Sequence, residues 1–306
     1  MRHATFRQLE IFEAIARMGS FTKAAETLYL TQPTVSMQMK KLADSVGVPL
    51  VEQVGKRVHL TDAGRKLAQA SREIFDILDR FEMAVAEHQG LKKGRLRLMV
   101  ISTASYFAPR LLGEFAKRHP GIEFSLAVTN RERVLASISD KLDDLYFLGQ
   151  PPEDLDVIAQ PFMENPLVLV AAPDHPLARQ SHIPLARLAE EPWLMREAGS
   201  GTRKAVERLF ASHGFDLQPR MELGSNEAIK QAILAGLGIS ALSRHALTLN
   251  PPDQFAILDA EGFPILRQWY AVFPANRQLS VVARAFLDFL LSHGQAYARA
   301  STARGG

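Results

Sequence analysis

Apolar residues Leu9, Phe12, Ile15 and Ala16 recur at three- and four-residue spacing, which predicts a first helix ending near Met18-Gly19. Ser20 opens a second helix over residues 21–28, whose Ala24-Ala25 pair lets another helix approach closely. Thr31 caps a third, with Pro33 in its first turn where a missing N–H costs little; it runs to about Val46 and stops before Gly47. Residues 50–61 alternate around Gly55-Lys56-Arg57 and predict a two-stranded wing with a basic tip. One long helix then runs from Asp62 to about Gln89. Leu67, Ile74, Phe81 and His88 share one heptad position and Ala70, Ile77 and Ala84 another, a narrow seam suited to pairing with a second helix. Packing on its own domain is the plainer alternative. Lys92-Lys93-Gly94 reads as a hinge.

Beyond the hinge, strands and helices alternate. Strands are expected over residues 95–101, 123–128, 145–148, 156–160, 167–172, 221–223, 238–241 and 267–273. Helices are expected over 106–119, 131–139, 185–190, 202–213, 227–235 and 280–292. Such alternation implies α/β units with largely parallel sheets. The tail from Ala298 to Gly306 lacks a pattern and reads as disordered.

Composition narrows the class without choosing a function. A chain of 306 residues is long for one core, and 47% hydrophobic with 23% charged residues is ordinary for a globular protein. The absence of cysteine removes disulfides, thiolate metal sites and cysteine nucleophiles together, and fits a reducing cytoplasm. No charged leader followed by an apolar run opens the chain, and no segment has the length of apolar residues that a membrane span needs. Residues 1–95 carry 15 Lys/Arg against 11 Asp/Glu and the remainder 21 against 22, so the slight excess of positive charge sits at the N-terminus.

Catalytic constellations do not emerge. The histidines show no metal-ligand spacing, and there is no phosphate-binding P-loop or G-x-S-x-G elbow. Asp143-Asp144 and Glu190-Glu191 read as solvated turns, and His175 in Pro173-Asp174-His175-Pro176 as a turn residue. The informative chemistry lies in residues 21–42, FTKAAETLYLTQPTVSMQMKKL, two short helices joined by a tight turn. A helix-turn-helix sets the start of its second helix in the DNA major groove. Thr31, Gln32, Pro33, Thr34 and Ser36 would then lie near base edges, where Gln pairs with adenine and Ser with base or phosphate. Lys40, Lys41, Lys56 and Arg57 are candidate phosphate contacts. A solvated helix beside a basic hairpin is the competing reading.

Residues 1–90 resemble the winged helix-turn-helix and linker helix of LysR-type transcriptional regulators, through the stretch above and VGVPLVEQVGKRVHLTDAGRKL. HPGIEF, APDHPLA, EPWLM, GSGTR and AILAGLGISAL extend the resemblance along nearly the whole chain. YFAPRLL, VTNRERVL and FMENPLVLVAAPDHPLA look most like regulators of RuBisCO operons. Two departures stand out: Met37 where many members have a polar residue, and Val51 and Gln53 where many have Phe and Arg.

The resemblance implies a fold class: α/β with an all-α N-terminal part. A DNA-binding domain would span residues 1–61, and a linker or dimerisation helix with its hinge 62–94. A two-lobed effector domain like the periplasmic solute-binding fold would span 95–306. Its lobes would comprise about 95–164 with 266–294, and about 165–265, with crossovers near 162–166 and 263–267. A small, anionic metabolite, either phosphorylated or a reduced nicotinamide nucleotide, would occupy the cleft, with Ser102, Thr103, Asn130, Gly149, Gln150 and Thr202 as candidate contacts. Simple helix capping is the alternative for the hydroxyl residues, and Arg203 could attract an anion or sit at the surface. No cofactor, metal or catalytic residue is implied. The expected partners are promoter DNA, the effector, RNA polymerase and further copies of the chain as dimers and tetramers, all in the cytoplasm. A regulator of another operon, a cytoplasmic solute-binding protein and an enzyme using the cleft are the rival readings.

Overall fold

The structure is a computed structural model that describes residues 4–54, 57–87, 93–140 and 142–302. It contains two compact units, Met1–Ala84 and Val85–Gly306.

In the first unit α1 (Phe6–Met18), α2 (Phe21–Thr27) and α3 (Gln32–Val46) pack around one core. Thr5 opens α1 with a capping box: its hydroxyl accepts from the Gln8 N–H, and the Gln8 side chain accepts from the Thr5 N–H. Gly19 closes α1 at φ 60°, a left-handed conformation that glycine adopts without strain. Ser20 caps α2 as expected. Thr31 precedes α3 but makes no capping bond to its backbone; the Thr31 and Thr34 hydroxyls bond each other instead, at 2.8 Å. Val35, Met39 and Leu42 turn inward against Phe12, Ile15, Ala24 and Ala25, all buried, so the opposite face of α3 is free of the core. β1 (Val51–Val54) and β2 (Arg57–Leu60) form the antiparallel wing. α4 (Asp62–Glu87) begins against it, because Gly64 lacks a Cβ that would lie 2.0 Å from the Leu50 carbonyl. Leu67 and Ala68 are buried under the wing, whereas Ile77, Leu78 and Phe81 further along are exposed.

Of the expected hinge, Lys92 lies outside the described residues and Gly94 already begins β3 (Gly94–Ile101). The second unit continues with α5 (Ala108–Arg118), β4 (Ile122–Thr129), α6 (Arg131–Asp140), β5 (Leu145–Leu148) and β6 (Val157–Glu164). Next come β7 (Leu167–Ala171), α7 (Leu185–Ala189), β8 (Trp193–Arg196), α8 (Gly201–Ala211), β9 (Pro219–Leu223) and α9 (Asn226–Leu234). β10 (Ser240–Ser243), β11 (Ala256–Ile257), β12 (Gln268–Pro274) and α10 (Val281–Thr302) complete it.

Two lobes result. The first holds a five-stranded sheet, β4-β3-β5-β12-β6, over a core of Phe107, Phe115, Phe147, Phe162, Trp269 and Phe286. The second holds a three-stranded sheet, β10-β7-β11, and the pair β8-β9, linked by the Trp193–Ile239 bridge. The chain passes between lobes twice, from β6 to β7 and from β11 to β12. These passages lie side by side: the Asn165 N–H donates to the Arg267 carbonyl at 2.8 Å, and Leu167 pairs with Ile265.

Several expectations are corrected. The sheets are mixed, not largely parallel: β3 pairs in parallel with β4 and β5, but β12 runs antiparallel to β5 and β6 because it returns from the other lobe. Residues 102–106 form a 3-10 turn, and the helix expected from Tyr106 starts at Ala108. β6 extends to Glu164, and the strand β8 had been missed because its four buried residues show no alternation. The C-terminal helix continues through Thr302, with Ala298 buried, so that part of the tail is ordered structure; residues 303–306 lie outside the described residues. Gly294 permits this, since a Cβ there would lie 2.2 Å from the Phe162 carbonyl. Asp143 and Asp144 do not form a solvated turn. Asp144 is buried, accepts from the Arg97 N–H and pairs with Arg97 and Arg277, while Asp143 accepts from Ser137 and burial raises its carboxyl above the usual range. Glu191 is likewise half-hidden, paired with Arg187 at 2.5 Å and His175 at 3.6 Å.

Candidate functional site

On α3 the inward turn of Val35, Met39 and Leu42 carries Gln32, Pro33, Lys40 and Lys41 outward and leaves Thr34 and Ser36 half-buried. The Gln32 amide donates to the Ser36 hydroxyl at 2.9 Å, which fixes both side chains on one helix face while leaving the Gln32 carbonyl oxygen as an acceptor. Met37 is 49% exposed on the same helix. Arg57 begins β2, but its side chain and all of Lys56 lie outside the described residues, as does the Gln53 side chain; Val51 is half-buried at the edge of the core. Tyr29 went unnoticed in the sequence. It sits in the turn before α3 at φ 56° and is 97% exposed, an aromatic ring held beside the start of the exposed helix by a conformation uncommon outside glycine.

The second site is a narrow cleft between the lobes of the second unit. Ser102, Thr103, Asn130, Gly149, Gln150 and Thr202 all line it, brought from strand ends of the first lobe and the start of α8 in the second. The lining is tied across the lobes. Arg196 donates to the Ser102 hydroxyl at 3.2 Å and to the Asn226 side chain at 2.8 Å, and Asn226 donates to the Thr103 hydroxyl at 3.2 Å. Beside them, the Tyr106 hydroxyl donates to Glu227 at 2.5 Å, and Lys230 pairs with the same carboxylate at 2.8 Å. Burial raises the Glu227 carboxyl, but the bonds from Lys230 and Tyr106 outweigh it and hold it below the usual range. Burial and the neighbouring Glu227 also push the Tyr106 hydroxyl well above its ordinary value. Asn130 caps α6 by accepting from the Arg133 N–H at 3.0 Å. Arg203, by contrast, turns to Glu207 and Glu222 and is absent from the lining.

The residues that sequence reasoning missed here are Arg131, Asn165, Arg196 and Arg267. They come from four separate stretches, so no motif or spacing announces them. Arg131 donates to the Gln150 carbonyl at 2.7 Å. Arg267 donates to the Gly149 carbonyl at 2.7 Å and to the Gly201 carbonyl at 2.9 Å, one in each lobe. Burial, with repulsion from Arg131 and Arg208, pulls the Arg267 guanidinium down to about 10, still charged at neutral pH.

Family comparison identifies both halves. A model described as the bacterial regulatory helix-turn-helix protein, lysR family, matches residues 6–65, and one described as the LysR substrate binding domain matches residues 89–295. The chain belongs to the LysR family. Like its relatives, this LysR protein is a transcriptional regulator and not an enzyme. It is 52% identical to the HTH-type transcriptional activator CmpR of Synechocystis sp., over 97% of this chain and 98% of that protein. It is 47% identical to the RuBisCO operon transcriptional regulator of Acidithiobacillus ferrooxidans, over 95% of each. Among solved structures, the Synechocystis PCC6803 CcmR regulatory domain in complex with 2-PG aligns at 53% identity and a TM-score of 0.64, covering 66% of this chain and 98% of that one.

Proposed function

We propose that this LysR-family protein activates carbon-fixation genes and that a small anionic metabolite in the inter-lobe cleft sets its activity. The observation that carries this reading is the cleft itself: three arginines against one carboxylate line it, in a fold whose 53%-identical relative holds 2-PG. The relatives named as a CmpR activator and as RuBisCO operon regulators point to the target genes. α3 lies in the major groove, where Thr31, Gln32, Pro33, Thr34 and Ser36 meet base edges and Lys40, Lys41, Lys56 and Arg57 meet phosphates. Ser102, Thr103, Asn130, Gly149, Gln150 and Thr202 border the effector. Residues 1–61 read DNA, 62–94 join copies into dimers, and 95–306 bind the effector and complete a tetramer that engages RNA polymerase in the cytoplasm. The effector acts by preferring one arrangement of the assembly over another.

Footprinting of the purified chain on the promoter of its carbon-fixation operon, with and without 2-PG, tests the reading. A protected operator whose pattern changes with 2-PG is expected; an unprotected promoter refutes the target assignment. Gln32→Ala and Ser36→Ala should each weaken operator binding about tenfold while leaving binding to random DNA alone, as loss of a base contact does. If both variants keep wild-type affinity and base preference, α3 does not read bases through these residues.

A further inference from the structure

Three arginines face the cleft, and only one of them is neutralised within it. Arg196 is held by Glu197 through two bonds, at 2.6 and 2.8 Å. Arg131 and Arg267 have no carboxylate within ion-pair distance among the described residues; each directs its fork at backbone carbonyls. Carbonyl oxygens are dipoles, and a half-buried guanidinium that meets only dipoles keeps an uncompensated charge. Arg131 lies close enough for its charge to bear on Arg267, and burial lowers both from the usual arginine value. The cleft therefore concentrates two adjacent positive charges with no carboxylate bonded to either, although the more distant Glu153 acts on Arg131. α8 and α6 also begin at this lining, at Gly201 and Arg131, so their positive ends add to the same field.

The local sequence is shaped around the Arg267 fork. A Cβ at Gly201 would come within 3.3 Å of its Nη2, and a Cβ at Gly149 within 3.3 Å of the same nitrogen and 3.1 Å of the Asn165 amide. Both positions thus give the guanidinium room to reach a carbonyl in each lobe. A planar fork suits a phosphate's oxygens, which accept two parallel N–H bonds, better than it suits a single carbonyl.

Resting on the reading of the cleft as the effector site, we propose that Arg267, with Arg131 beside it, is the receptor for a phosphate monoester dianion. The phosphate takes the fork of Arg267 from the Gly149 and Gly201 carbonyls, and its two negative charges face the two arginines that lack an ion pair. Because that fork touches both lobes, the same exchange couples ligand charge to lobe arrangement. Arg267 thereby selects dianions over the monoanions that a lone serine- and threonine-lined cleft would accept.

Calorimetric titration of the full-length protein with 2-PG, inorganic phosphate and lactate tests this. The wild type should bind 2-PG, and inorganic phosphate should displace it while lactate does not. Arg267→Gln should lose about 100-fold in 2-PG affinity and Arg131→Gln about tenfold, the range found when one partner of a close charge pair is truncated. Arg267→Lys keeps the charge but not the fork and should fall between the wild type and Arg267→Gln. A merely structural arginine would instead disturb folding and leave 2-PG affinity alone. Folded Arg267→Gln and Arg131→Gln that bind 2-PG as the wild type does would overturn the assignment while leaving the cleft intact as the effector site. If Arg267→Gln fails to fold, wild-type affinity in both Arg131→Gln and Arg267→Lys overturns it equally. A wild type that binds neither 2-PG nor phosphate overturns this inference and the effector reading together, and displacement by lactate as effective as by phosphate refutes the preference for dianions.

Discussion

His245 is kept neutral by its surroundings. It is buried, its ring lies 5.4 Å from that of Phe107, and its Nε2 meets the Glu164 carbonyl at 2.8 Å. A carbonyl only accepts, so Nε2 carries the hydrogen in this tautomer. Burial lowers the imidazole below its ordinary value of about 6.5, with the Glu164 carbonyl partly opposing the shift. The unfolded chain therefore binds the proton more readily than the folded one. The stability that His245 contributes is complete above about pH 6.5 and is lost as pH falls through that value toward the lower folded one. His245→Gln, which can still donate to Glu164, should flatten this dependence: the drop in melting temperature between pH 7.5 and 5.5 should be smaller than in the wild type. An equal drop in the two proteins would show that another group carries the acid sensitivity. Lys230 is handled differently. Only 3% exposed, it is held among three acceptors, the Ala246 carbonyl, the Asn250 side chain and Glu227.

At the scale of elements, α4 exposes a stripe that its own unit does not cover. Leu67 and Ala68 are buried and Ile74 half-buried, but Ile77 is 55% and Phe81 67% exposed, with Leu78 between them. Exposed apolar residues at heptad spacing on one helix are what a second copy of that helix covers. Phe81→Glu places a charge on this stripe and should move the protein toward monomers in sedimentation, with a dimer at micromolar concentration in the wild type. An unchanged sedimentation profile would remove α4 from the interface. This stripe was legible in the sequence because helical periodicity is a local signal, as were the Ser20 cap and the Gly19 and Gly47 stops. The strand β8 was not, since Trp193–Arg196 is buried on all sides and alternation vanishes when both faces are covered. The mixed sheet was equally hidden: strand direction follows from where the chain returns between lobes, which no local pattern records. In the cleft, the hydroxyl residues beside helix starts could be read from their positions, whereas Arg131, Arg196 and Arg267 meet only through the fold.

At the scale of the second unit, the lobes are joined by a chain of polar contacts through the floor of the cleft, from Ser102 to Arg196 to Asn226 to Thr103. Every link crosses between lobes or holds one that does, so the chain fixes the lobe arrangement in which Arg267 spans Gly149 and Gly201. Thr103 is the link that can be removed with least change of shape, because Val matches it in volume and lacks only the hydroxyl. In Thr103→Val the buried Asn226 amide loses an acceptor, a loss worth about 1–3 kcal/mol. That penalty falls on the arrangement with the lobes joined and spares any arrangement in which Asn226 reaches water. A ligand that binds between joined lobes must then make up the difference, so its affinity should fall by about tenfold, within the range set by that penalty. Operator binding without ligand should be nearly unchanged, since α3 belongs to a separate compact unit with its own core. Titration of Thr103→Val with 2-PG decides the matter. An unaltered affinity would mean that the polar chain holds the lobes without being coupled to the ligand. A loss with no change in the basal footprint would place Thr103 in the coupling between cleft and lobes, through Asn226 even if it never touches the ligand.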